Sequence, residues 1–148
     1  MTDHPTLDEM IDRLKLEPHP EGGFFREVWR SPLELPAGVL TDDHDGERNA
    51  GTSILYLLPE DDDSAPHRVC SAELWLYQYG NPLRLTIEPP GDERATEAVL
   101  GPGPNQAFQK LVPPNHWQKA RPLPGAAGYT LVGCVVVPGF DFQDFEMR

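Results

Sequence analysis

His67 and Glu73 stand six residues apart in HRVCSAELWLYQYGNPL, a stretch otherwise dominated by apolar and aromatic strand formers. An imidazole titrates near neutral pH, and a carboxylate held in an apolar pocket has its proton affinity raised toward the same range. Two such groups facing one space can pass protons to and from a ligand. Run as a single strand, the segment puts His67, Val69, Ser71, Glu73, Trp75 and Tyr77 on one face. A carboxylate on that face must be paired, hydrogen-bonded, metal-bound or protonated, because an unpaired buried charge is very costly. Glu73 is therefore the first candidate for a general base or a ligand, with His67 as its acid-base partner. The competing reading is a structural ion pair, for which Arg26 and Arg68 are the available cations.

Other residue types support a pocket around this pair. In FFREVW, Phe24, Arg26 and Val28 share a face, and an arginine aimed inward can grip a carboxylate or phosphate through its two-pronged fork. Trp75, Tyr77 and Trp117 are candidates to wall an apolar or sugar-stacking site, ordinary core packing being the alternative. In the terminal PGFDFQDFE the phenylalanines read as structural and Asp141 as a rim candidate. HPEGG, from His19, reads as a turn whose paired glycines permit backbone conformations closed to other residues. His4 and His44 read as surface residues.

These side chains need a scaffold. Thr6 to Leu16 places Leu7, Met10, Ile11 and Leu14 at helical spacing, with Thr6 and Glu9 forming a capping box. After it the helical period vanishes, and 17 prolines and 13 glycines punctuate short strand-like runs, the pattern of an all-β sandwich or barrel. Strands are predicted over Phe24–Trp29, Ser53–Leu58, Arg68–Tyr79, Leu83–Ile87, Thr96–Leu100, Ala107–Val112, Trp117–Ala120 and Tyr129–Val137. The acidic stretches Leu33–Ala50 and Glu60–Asp63 read as solvated loops. DDHDGE fails the calcium-loop pattern: with Gly46 at the invariant glycine, Thr41 and Thr52 fall where Asp and Glu belong.

The 148 residues suffice for one domain with a real core, and a formal charge of −12 repels nucleic acid and anionic membranes. No apolar run approaches the roughly 20 residues of a spanning helix, and the first residues lack the features of a secretion signal, so a cytoplasmic protein is expected. Cys70 and Cys134 lie in apolar runs and read as buried free thiols.

The region from His67 to Gln118 resembles the two motifs of the cupin superfamily. His67 fits the first histidine of the first motif, Glu73 its glutamate and Gly80 its glycine, while Val69 stands at the second histidine. In the second motif, PPNHWQ puts Asn115 at the glycine and Gln118 at the histidine. LEPHPEGGFFREVWRS, SILYLL, AELWLYQYGNPL, LVPPNHWQKA and VVPGFDFQDFEM together resemble the cupin-5 family, DUF985, over nearly the whole chain. Many members carry a histidine after the Glu-x-Trp triplet, where this chain has Leu76. The resemblance implies a jelly-roll β-barrel over residues 1–148 with a short N-terminal helix, and a homodimer. It also implies a metal set reduced to His67, Glu73 and Gln118, able to hold a divalent ion only weakly.

Two classes of function follow. One is an isomerase, epimerase or lyase acting on a small polar or sugar-like molecule, with Glu73 and His67 moving protons and Arg26 fixing an anionic group. The other is a module that binds a small ligand without turnover. A metal-dependent dioxygenase ranks third, because Val69 and Gln118 replace two imidazoles.

Overall fold

The structure is a computed structural model describing residues 3–91 and 93–148. Helix α1 (Leu7–Leu14) starts where the capping box predicts. The Thr6 hydroxyl oxygen accepts the Glu9 N–H at 3.1 Å, and Lys15, at φ 56°, ends the helix.

The strands are β1 (Glu17–Pro18), β2 (Phe24–Arg30), β3 (Glu34–Leu35), β4 (Arg48–Asn49), β5 (Thr52–Pro59), β6 (Ser64–Arg68), β7 (Ala72–Gly80), β8 (Leu83–Glu88), β9 (Thr96–Leu100), β10 (Gln109–Val112), β11 (Trp117–Pro122), β12 (Tyr129–Val137) and β13 (Glu146–Met147). They form a six-stranded sheet, β1-β2-β5-β12-β7-β10, and a five-stranded sheet, β13-β6-β11-β8-β9, with β3-β4 as a separate pair. The two larger sheets face each other as a jelly roll without joining into one hydrogen-bonded barrel. Tyr56, Trp75 and Val132 from one sheet meet Leu83, Leu85, Ile87 and Ala120 from the other to make the main core.

A second cluster lies outside this sandwich. Met10, Leu16, Leu57, Tyr129 and Leu131 pack together where α1 covers one end of the outer face of the six-stranded sheet. The apolar stripe of the helix thus has its partner, and the helix closes a flank instead of entering the core. No helix among the described residues is long and apolar enough to cross a membrane.

Two expectations need correction. The stretch His67 to Leu83 does not start as one strand: β6 ends at Arg68 in the five-stranded sheet and β7 begins at Ala72 in the other. The crossing residues Val69, Cys70 and Ser71 are all buried, so the pattern of burial runs unbroken through the bend. Asn115 N–H holds the crossing by donating to the Val69 carbonyl at 2.8 Å.

The acidic segment after Leu33 is largely exposed, as expected of a solvated loop, but two of its residues turn inward. His44 and Arg48 are buried; His44 Nε2 lies 3.0 Å from Ser71 Oγ, and the Arg48 guanidinium forks onto both oxygens of Asp144 at 2.9 and 2.7 Å. The Glu60–Asp63 run is tied down as well, with Asp62 accepting the Gly23 N–H and Glu60 holding Asn81 and Gly125.

Candidate functional site

The HPEGG turn sets the site. The His19 N–H donates to the Gly23 carbonyl and the Gly22 N–H returns to the His19 carbonyl, curling the chain back on itself. Gly22 and Gly23 have φ of 108° and 73°, and a Cβ on either would sit 2.3 Å from the Asp63 carbonyl or 2.7 Å from the Leu57 carbonyl. Only glycine fits there. The Ala65 N–H donates to the Glu21 carbonyl at 2.7 Å, which draws Glu21 against β6 and points its side chain at His67.

Glu21 Oε2 lies 2.9 Å from His67 Nε2, and His67 Nδ1 donates to the Ala65 carbonyl at 2.8 Å. Both residues are buried, and Phe145 stacks on the imidazole at 5.4 Å between ring centroids. Burial works against the charged imidazole. The hydrogen bond and charge of Glu21, with smaller help from Glu73 and the Ala65 carbonyl, overcome it and raise the pKa to about 8.

Glu73 comes from the inner face of β7, only 7% exposed. Burial raises its pKa to about 7, opposed by the charge of His67, reinforced by that of Glu21, and opposed again by hydrogen bonds from Gln118 and the Cys134 thiol. Gln118, on β11, joins the sheets: its Nε2 donates to Glu73 Oε1 at 3.1 Å, and its Oε1 accepts the Trp75 indole N–H at 2.7 Å. His19, whose Nδ1 accepts the Glu21 N–H, is held below its ordinary pKa by burial, against the charge of Glu21 and helped by that of His67.

These groups line a cavity of about 460 Å³. Glu21, His67 and Glu73 form its buried polar part and Glu27, Arg30 and Thr52 also line it, while Phe25, Ile54, Val69, Val136 and the tail residues Phe140, Phe142 and Phe145 supply apolar wall. Asp141 lines it too, and its carboxylate accepts the Gln143 N–H.

Several residues singled out by sequence lie elsewhere. Arg26 is on the outer face, where Nε donates to the Leu14 carbonyl at 2.8 Å and fastens the end of α1. Arg68 pairs with Glu146 and lies over Trp117, which Arg148 covers from 4.9 Å. Neither arginine pairs with Glu73, because alternation along β2 sends Arg26 outward and β6 ends at Arg68. Trp75 is wholly buried behind Gln118, and the Tyr77 hydroxyl donates to the Gly80 carbonyl. Trp117 borders a separate hollow with Thr86 and Lys119.

The metal set fares poorly on donor chemistry. Both His67 nitrogens are engaged, the Gln118 oxygen already accepts an indole N–H, and Val69 offers no donor. The three residues do not fit a metal centre. His44, Cys70 and Asp144 also bring ligand-type atoms within 4.8 Å of one another. There the Arg48 fork covers both Asp144 oxygens, and His44 contacts Thr41 and Ser71, so the group is a clasp between the loop and the tail.

Sequence reasoning missed Glu21, Arg30 and Ile54 in the cavity and assigned His19 only to its turn. Glu21 had one available signal: a carboxylate locked by the glycine-compressed turn that precedes β2.

Two facing antiparallel sheets with a polar-centred cavity between them define a jelly-roll fold. The chain belongs to the cupin superfamily family DUF985, which matches residues 8–148. A hypothetical protein from Leishmania major is 33% identical, with a TM-score of 0.86 over 97% of this chain and 88% of that one. Protein SO0799 from Shewanella oneidensis is 34% identical, with a TM-score of 0.81 over 97% and 85%. The uncharacterized Saccharomyces cerevisiae protein YML079W is 28% identical over 148 residues, 94% of this chain and 73% of its own length.

Proposed function

We propose that this cupin binds a small polar molecule in the cavity between its sheets and moves protons on it, in an isomerase, epimerase or lyase reaction. The observation that carries this reading is the juxtaposition of Glu73 and the Glu21-held His67 on one cavity, with pKa values of about 7 and about 8. Between those values Glu73 is largely ionised while His67 is still largely protonated. The carboxylate takes a proton from an acidic C–H of the ligand and returns it at a neighbouring atom, and the imidazolium, its two N–H groups held by Glu21 and the Ala65 carbonyl, stabilises the negative charge that develops in between. Glu21 holds the imidazole in place through its contact with Nε2.

The test is deuterium wash-in. Ligands that raise the melting temperature are incubated with the protein in D2O and followed by NMR. Exchange at a carbon-bound proton is expected with wild type, falling on the order of 100-fold or more with Glu73→Gln. Binding without exchange in wild type would overturn the enzyme reading in favour of a binding module.

A homodimer is part of the same proposal. Trp29, Leu111 and Val137 are each about half exposed on the outer face of the six-stranded sheet, beyond the area α1 covers, and a second copy is the proposed cover. Light scattering showing a monomer at micromolar concentration would remove that part.

A further inference from the structure

We infer that the polar group this cavity selects is a cationic amine carried on an apolar body, not a phosphate or carboxylate. The inference rests on the proposed reading of the cavity as a small-molecule site and names the ligand class.

Four carboxylates line the space: Glu21, Glu27, Glu73 and Asp141. Against them stand His67, already matched to Glu21, and one arginine, Arg30. The Arg30 fork is occupied. Its Nε and Nη2 donate to Glu27 at 3.2 and 2.7 Å, Nη1 donates to Asn49 at 2.9 Å, and Nη2 also reaches the Phe140 carbonyl. An incoming anion would have to break that arrangement before gaining a cation, and would then face the other acids.

Glu73 supplies the independent observation. It is more than nine-tenths buried and aimed into the cavity; Gln118 and the Cys134 thiol hydrogen-bond to it, no arginine or lysine among the described residues pairs with it, and the positive charge that faces it is that of His67, already matched to Glu21. A buried carboxylate in that condition is the natural partner of a ligand ammonium, which would satisfy it by a charge-assisted hydrogen bond.

The walls agree with this. Phe25, Phe140, Phe142 and Phe145 line the cavity, and aromatic faces attract cations while accepting an apolar body. The overall charge of −12 steers cations toward the molecule and anions away. The volume of about 460 Å³ lies inside the roughly 300–1,000 Å³ of small-molecule pockets.

Matched probes with one apolar body separate the possibilities: 2-phenylethylammonium, 2-phenylethanol, phenylacetate and phenyl phosphate, each titrated against the intact chain by melting-temperature shift and calorimetry. The ammonium is expected to bind at least about tenfold more tightly than either anion. Glu73→Gln should abolish its advantage over the alcohol, and Ile54→Trp, which fills the cavity, should remove both responses. Val136→Trp blocks the space from another wall should Ile54→Trp fail to fold.

An anion that binds as tightly as the ammonium, or no response to the ammonium at millimolar concentration, overturns the assignment. So does an ammonium response that survives both blocking variants, since the binding then lies outside the cavity. Ammonium binding with no deuterium wash-in on any ligand would retain the amine class while sinking the proton-transfer reading.

Discussion

Replacing Glu21 by glutamine keeps the shape of the HPEGG turn and takes away the charge that holds His67 protonated. Burial alone lowers the imidazole pKa, and the Glu21 hydrogen bond and charge are the main influences that reverse this and bring it to about 8. Without them His67 should titrate at or below its ordinary 6.5. A fall from about 8 to 6.5 corresponds to about 2 kcal/mol of lost preference for the imidazolium.

The sign for stability follows from the raised value. His67 contributes stability that is fully present below pH 6.5 and lost as pH rises through 8. Glu73, raised from 4.5 to about 7, acts in the same sense over its own range. Wild-type stability from these groups should therefore fall across the interval from about pH 4.5 to 8, and Glu21→Gln should flatten the upper part. Nitrogen-detected NMR of the histidine rings reads the titration directly, and urea midpoints at several pH values read the linkage. A His67 titration unmoved in Glu21→Gln would refute the assignment of Glu21 as its holder.

Other expectations concern the scaffold. Gly22→Ala forces a Cβ toward the Asp63 carbonyl at a φ of 108°, and should cost about 2 kcal/mol or more in urea unfolding. A wild-type midpoint would show that the turn relaxes freely. Arg48→Met strands a buried Asp144 and should cost about 3–5 kcal/mol, with much of that recovered when Asp144→Leu is added; simple additivity of the two losses would deny the coupling. Chelator treatment should leave the melting temperature unchanged, because the donors of the reduced metal motif are engaged within the protein. A drop of several degrees that manganese or zinc restores would overturn that reading.

The helix and the long strands were readable because their signals are local: a capping box at Thr6 and Glu9, the period-two run Leu83–Glu88, and the strand-length apolar run Tyr129–Val137. His67 and Glu73 stood out because polar residues on a buried face need partners. The partners themselves could not be read. Glu21 belongs to a turn with no periodic signature, and only the fold of β2 over β5 brings that turn beside β6. Arg26 misled because its charge suggested a pocket, although a two-residue alternation cannot say which face of β2 is inner. His44 and Arg48 were assigned to solvent because an acidic, glycine-containing segment resembles a loop; their burial depends on Ser71 and Asp144, distant along the chain.

The crossing at Val69–Ser71 places His67 and Glu73 on opposite layers of the sandwich. Their electrostatic coupling is therefore a gauge of the gap between those layers, spanned here by the Gln118 amide. Substitutions among the wholly apolar residues that set this gap, Val112 or Ile87 for example, can retune the proton affinity of the pair by separation alone. The tuning screw of the chemistry lies in the hydrocarbon of the core.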